Sequence, residues 1–219
     1  MKNSNKAFTI SFLLILILMI NCSNSSEPKD FDYGKIENDR YTNSYFDLEL
    51  NLPSHWIVQT KEQTENLTKI GKDLVAGDNK NMRAAFNASE INTANLLTVF
   101  QYEVGSAVDF NPGFMLMAEN LKAFPGIKTG SDYLFQVRRA MKQSQFQYDS
   151  IDDEFKKIII DNQEYYLMNT SVSYAGYTIR QEYYSTLQDG FCISAIISYN
   201  DDEQKSVLKK VINSMKFKK

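Results

Sequence analysis

Histidine occurs once in this chain of 219 residues, cysteine twice, tryptophan once and proline four times. A single histidine, His55, leaves a Ser/His/Asp triad or imidazole acid–base catalysis only one place to run through, and it stands in the turn "LPSHW". No Gly-x-Ser-x-Gly elbow and no phosphate-cradling glycine loop occurs among the nine glycines. One histidine and two distant cysteines fall short of the spacings of structural zinc. The acidic group Asp149, Asp152, Asp153 and Glu154 lacks the Asp-x-Asp-x-Asp-Gly order of an EF-hand and reads as a solvated loop. Catalytic, metal and cofactor residues are therefore not expected. Basic charge is also in deficit, with 24 Lys and Arg against 27 Asp and Glu, a net charge of -3. Removal of Lys2 and Lys6 would leave 22 against 27, or -5, a balance that argues against nucleic-acid binding.

What is present begins with an apolar run. After Lys2 and Lys6, residues Ala7 to Ile20 form fourteen positions whose only polar members are Thr9 and Ser11. This is the layout of a secretory signal, basic then apolar. As a helix it rises roughly 21 Å, short of the about 30 Å of hydrocarbon that a membrane span must cross. No A-x-A cleavage pattern closes it; the run ends Met19-Ile20-Asn21-Cys22. That ending resembles a bacterial lipoprotein signal, in which the cysteine is diacylated and becomes the first mature residue. Met19 and Ile20 fit the apolar positions of such a lipobox, and Asn21 departs from the small residue usual before the cysteine. The resemblance implies lipid attachment at Cys22, since two or more acyl chains hold a soluble domain durably to a membrane and one does not. An ordinary secretory signal and an uncleaved anchor are the alternatives. The expected organisation is a signal peptide over 1–21, a lipidated cysteine and flexible tether over 22–40, and a single domain over 41–219. Localisation follows as extracytoplasmic and lipid-anchored, in the cell membrane or an outer membrane.

The remainder reads as one α+β domain. Phe46, Leu48, Leu50 and Leu52 alternate with Asp47, Glu49 and Asn51, a strand with one buried face, and "WIVQT" returns as its hairpin partner. Leu67, Ile70, Leu74 and Val75 set out one amphipathic helix over Lys61 to Met82, interrupted near Gly77. "LLTVFQYEV" reads as a buried strand. Asn111-Pro112 looks like a cap and first turn, predicting a helix through Phe114, Met117, Leu121 and Phe124. A further helix starts near Ser131. Four strands then follow as a meander, "FKKIIID", "EYYLMNTSVSYA", "YTIRQEYYSTLQ" and "GFCISAIISY", broken at Asp161-Asn162, Ala175-Gly176 and Asp189-Gly190. A closing helix begins at Asn200 with Glu203 three places on, facing Val207, Leu208, Val211, Ile212 and Met215 to the core. This order predicts an antiparallel sheet with helices packed on it.

The stretches "YTNSYFDLELNLPSHWIV" and "GFCISAIISYNDDEQKSVLKKVINSMKF", the latter with Ile212, Ser214 and Phe217 in a closing run, resemble the first hairpin and the last strand and helix of PsbP-like domains. The resemblance implies an α/β/α sandwich. That family resembles a set of adaptor domains and lipoproteins without shared catalytic residues, so no functional residue is carried over.

Cys192 lies in the apolar strand "FCISAIIS" with Ser194 on its side and Phe191, Ile193 and Ala195 opposite, as a buried structural thiol. A Cys22–Cys192 bridge would require Cys22 to stay unmodified. The sequons at Asn66, Asn87 and Asn169 are what an asparagine-rich chain produces. Tyr165, Tyr166, Tyr174, Tyr177, Tyr183, Tyr184 and Tyr199 load the meander, and the adjacent pairs must point to opposite faces, to pack under helices or to form a recognition surface. The functional expectation is a non-catalytic binding or adaptor domain. Its expected partners are the membrane, through the lipid anchor, and an envelope protein or small ligand. The alternatives are an envelope hydrolase working through two carboxylates and a carrier of an apolar ligand.

Overall fold

The computed structural model describes Pro28 and residues 30–90, 92–174 and 176–218. The expected signal segment and Cys22 lie outside the described residues. Among the described residues the order is β1 (Lys35–Glu37), β2 (Arg40–Asn43), β3 (Leu48–Asn51), β4 (Ile57–Val58), α1 (Lys61–Ala76), α2 (Lys80–Glu90), β5 (Thr93–Phe100), β6 (Gly113–Asn120), α3 (Gly130–Gln143), β7 (Ser150–Ile151), β8 (Lys156–Ile160), β9 (Gln163–Tyr174), β10 (Tyr177–Gln188), β11 (Phe191–Tyr199), α4 (Asp202–Asn213) and β12 (Lys216–Phe217). The larger sheet runs β4-β5-β6-β11-β10-β9-β7, with β8 also on β9, and all its pairings are antiparallel. A smaller sheet runs β1-β2-β3-β12.

The large sheet is covered on both faces. Phe191, Ile193, Ala195 and Ile197 of β11 join Leu208, Val211 and Ile212 of α4 and Leu48 and Leu50 of the small sheet in one core. Cys192 and Ile196, one residue out of step, join Tyr133, Leu134 and Val137 of α3 in a second. Period-two alternation sends neighbouring side chains into different layers, so every residue of β11 is buried. A third cluster, with Val75 of α1, Phe86 of α2 and Phe110, closes the second face beside Val172 and Ile179. The fold is α+β, an antiparallel sheet between layers of helices, as expected. No helix among the described residues is long and apolar enough to cross a membrane.

Helix starts follow local chemistry. Thr60 and Thr129 each accept from the backbone of the residue three places on and receive its side chain in return, satisfying amide groups that no helical partner can reach. At α4 the cap is Asp201, one residue after the expected Asn200. Its side chain accepts from the Gln204 N–H at 2.8 Å, while Gln204 Oε1 accepts from the Asn200 N–H at 2.9 Å. The Asp189-Gly190 turn has φ of 50° and 79°, both positive as a type I′ hairpin requires.

Four further expectations fail within residues 41–219. Residues 113–120 form the strand β6 between β5 and β11, not a helix. Both faces of β6 are buried, so "GFMLMAE" carries no alternation to mark it as a strand. Asn111 does not cap; its side chain accepts from the Tyr102 N–H at 3.0 Å and donates to the Tyr102 carbonyl at 2.8 Å, closing the β5–β6 loop. Second, β3 does not pair with "WIVQT": it lies between β2 and β12, and β4 belongs to the larger sheet. Third, the expected single helix is two, because Gly77 at φ 50° ends α1 and the Asn79 side chain accepts from the Met82 N–H at 3.1 Å to start α2. Fourth, β5 stops at Phe100, leaving Tyr102 and Val104 in a loop, 41% and 40% exposed.

The stretch read as a tether over 22–40 also contains structure. β1 and β2 form a hairpin over Asn38 and Asp39, both at positive φ. Ahead of it, residues 31–34 make a strap. The Tyr41 hydroxyl donates to the Tyr33 carbonyl at 2.9 Å, and Asn43 donates to the Asp32 carbonyl at 2.7 Å. Asp32 accepts from the Ser44 N–H at 3.0 Å. The Phe31 ring packs against Tyr45, Phe46 and Phe191 with centroids 5.0 to 6.0 Å apart.

Candidate functional site

Of the residues singled out in the sequence, His55 is exposed in its turn at φ 67°. Cys192 is 1% exposed with its thiol 3.6 Å from the Ser194 hydroxyl, and burial pushes its pKa up. The acidic group is dispersed over separate partners. Asp152 accepts from the backbone and side-chain amides of Asn169 at 2.8 and 2.6 Å, whereas Asp153 pairs with Lys142 at 3.3 Å. No three His, Cys, Asp or Glu side chains converge on a metal position among the described residues.

The structure brings together a constellation that the sequence reading passed over. Glu182, on β10, is 2% exposed and points toward α4. Its Oε1 accepts from the Tyr199 hydroxyl at 2.9 Å and pairs with Lys205 Nζ at 3.1 Å. Its Oε2 accepts from the Tyr184 hydroxyl and pairs with Lys209 Nζ at 3.3 Å, and Lys209 also donates to the Tyr184 oxygen at 2.6 Å. Tyr184 and Tyr199 share the Glu182 face because the sheet alternates, and Lys205 and Lys209 share one face of α4 because they lie four apart. Each ammonium also stands over the ring of its tyrosine, at 5.4 Å for Tyr199 and 5.0 Å for Tyr184. Burial alone would raise the Glu182 pKa, but the two hydroxyls and two ammonium groups outweigh it and hold the carboxyl below its usual range. The cluster is an ionised carboxylate with both oxygens engaged, and it fastens α4 to the sheet.

A second buried acid lies on the opposite face. Glu119, on β6, is 2% exposed, and its Oε2 accepts from the Tyr133 hydroxyl of α3 at 2.8 Å. No cation is among the causes acting on it, so burial raises its pKa to about 8, offset only in part by Tyr133. Beside it on β11 stand Cys192, its register partner, and Ser194, the latter 2.9 Å from the Ser185 hydroxyl of β10. Helix α3 approaches this face so closely that a Cβ on Gly130 would lie 2.1 Å from the Ser185 carbonyl oxygen.

The solvent face of the small sheet forms a groove of about 970 Å³ whose lining includes Asp32, Lys35, Glu37, Arg40, Asp47 and Lys218. Its charges are largely matched: Lys35 pairs with Glu37 at 3.1 Å, and Glu49 with Arg40 and with Lys218, the latter at 3.2 Å. Arg40 chiefly holds the Glu49 carboxyl below its usual range, against burial. So polar a wall does not suit an apolar ligand. Exposed apolar side chains lie elsewhere, as Tyr102 and Val104 in the β5–β6 loop and Ile70 and Leu74 one turn apart on α1.

No family model and no curated protein matches the chain. Solved structures do. The PsbP protein (CyanoP) of Synechocystis sp. PCC 6803 is similar at 14% identity and a TM-score of 0.48, over 89% of this chain and 98% of that one. LpqN of Mycobacterium tuberculosis, a protein involved in cell envelope biogenesis, is similar at 11% identity and a TM-score of 0.42, over 76% and 79%. A protein from Bacteroides thetaiotaomicron VPI-5482 is similar at 10% identity and a TM-score of 0.43; this chain is covered over 84% and spans about half, 50%, of the other's length.

Proposed function

We propose that the protein is a lipid-anchored extracytoplasmic lipoprotein whose single α+β domain binds a partner without catalysing a reaction. The observation that carries the reading is the apolar run that stops at Cys22, nine residues before Phe31 enters the strap that ties the chain to the domain. The two glutamates buried in the interior do not form the carboxylate pair of a hydrolase. A carboxylate hydrolase needs two acids facing one bond at about 5 to 10 Å, whereas Glu119 and Glu182 point to opposite faces of one sheet. Each instead joins a helix to the sheet. Recognition then falls to the surface, where the β5–β6 loop presents Tyr102, a residue type enriched at interfaces, with Val104 exposed beside it in sequence. Cross-linking in intact cells tests this. The expected result is one product of defined size that is lost when Tyr102 and Val104 are both changed to Ala; recovery of the protein alone in the wild type contradicts a binding role.

A further inference from the structure

We infer that the domain is held with a defined end toward the bilayer: the end carrying the strap, Lys122 and Asp189 faces the lipid headgroups, and the end carrying the β5–β6 loop faces away. This rests on the proposed anchor at Cys22. The two ends are set by the strands. Phe191, at the start of β11, packs on Phe31 of the strap with ring centroids 6.0 Å apart. The Leu121 N–H donates to the Gly190 carbonyl at 2.9 Å, which puts Lys122 and Asp189 beside the same contact. At the other end of β11, Ser198 pairs with Gly113, and Gly113 with Phe100, from which the 101–112 loop departs. Nine residues of β11 separate these ends, about 26 Å at roughly 3.3 Å per residue.

The chain that leads to the anchor is shorter than that. The Phe31 N–H donates to the Pro28 carbonyl at 3.2 Å, so the path is already fixed beside the strap at Pro28. From Cys22 to Pro28 there are six Cα steps, which span at most about 20 to 22 Å whatever their conformation. Even a taut tether is therefore too short to bring the far end to the headgroups with Pro28 held where it is. The strap converts a lipid anchor, which by itself fixes only location, into an orientation. It directs Tyr102 and Val104 into the space beyond the membrane and sets one end of the polar groove, the end lined by Asp32 and Ser44, toward the membrane.

The test uses the full chain, acylated in a bacterium that processes lipoproteins and reconstituted in phosphatidylcholine–phosphatidylglycerol vesicles bearing a headgroup nitroxide quencher. A fluorophore is placed at Lys122→Cys or at Glu103→Cys; both positions are exposed, and Cys192 is buried. Flotation with the vesicles reports the anchor, and quenching reports orientation. The expected result is flotation of both variants with several-fold stronger quenching at position 122. A long Gly-Ser insertion after Ser26 should narrow the difference. Failure to float would overturn the anchor itself. Flotation with equal quenching, or with stronger quenching at position 103, would leave the anchor standing and overturn the orientation.

Discussion

Two glutamates, buried to the same degree on opposite faces of one sheet, meet opposite fates. Glu182 has two tyrosine hydroxyls and two lysines around it and is held ionised; Glu119 has one tyrosine hydroxyl and no cation and is held protonated at neutral pH. The difference lies in the helix that covers each. Helix α4 brings Lys205 and Lys209 down on the Glu182 face, while α3 brings Tyr133 and, at Gly130, bare backbone. A buried charge survives where donors and cations replace water, and otherwise takes up a proton. The opposite states of these two carboxyls thus follow from how the helices dock.

The largest expected effect breaks the symmetry through pH. Glu119 holds its proton up to about pH 8, whereas in the unfolded chain a glutamate loses it near 4.5. The folded state therefore binds the extra proton between these values, and its contribution is present below the unfolded pKa and lost as pH rises through the folded one. Stability should fall by up to about 1.4 kcal/mol per pH unit across that window. Glu119→Gln should abolish this slope, so that at pH 8 the variant is the more stable by urea unfolding. An unchanged slope would mean that Glu119 does not carry the proton.

Next in size is the fit of α3. Gly130→Ala drives a methyl group into the Ser185 carbonyl and should cost about 3 kcal/mol, read as a lower midpoint in urea with the same slope. Smaller is Glu182→Gln, which removes the charge but keeps the shape. With Lys205 and Lys209 partly exposed and able to turn to water, the loss should be about 2 kcal/mol at neutral pH. The sign on the acid side is opposite to that of Glu119: the Glu182 contribution is present above the unfolded carboxylate pKa and disappears as pH falls through the lower folded value. The double change Lys205→Met with Lys209→Met sharpens the comparison, for it should move the Glu182 titration upward and make this face behave like the other.

The parts of the fold legible in the sequence were those with a local signature. The β8–β11 meander announced itself by alternation and by Asp161-Asn162 and Asp189-Gly190, and α4 by its apolar stripe. β6 was not legible, because a strand buried on both faces loses the period that distinguishes it from a helix. Nor was the partner of β3, since pairing with β2 and with β12, more than 160 residues away, depends on the assembled core. At the candidate site, the opposite orientations of Tyr183 and Tyr184 followed from strand geometry, and their assignment to different cores bears it out. The acidic partner of Tyr184 did not follow, because a glutamate in a strand reads as solvent-facing until the helix above it is in place. Glu182 and the i, i+4 lysines held the available signal, one on each side of the contact.

Lipid attachment at Cys22 is the claim on which location and orientation both depend. It is tested most directly by growing cells with a radioactive fatty acid and comparing the wild type with Cys22→Ala. Label in the wild-type protein in the membrane fraction, and none in the variant, is the predicted result. A wild-type protein that is exported without label would contradict it.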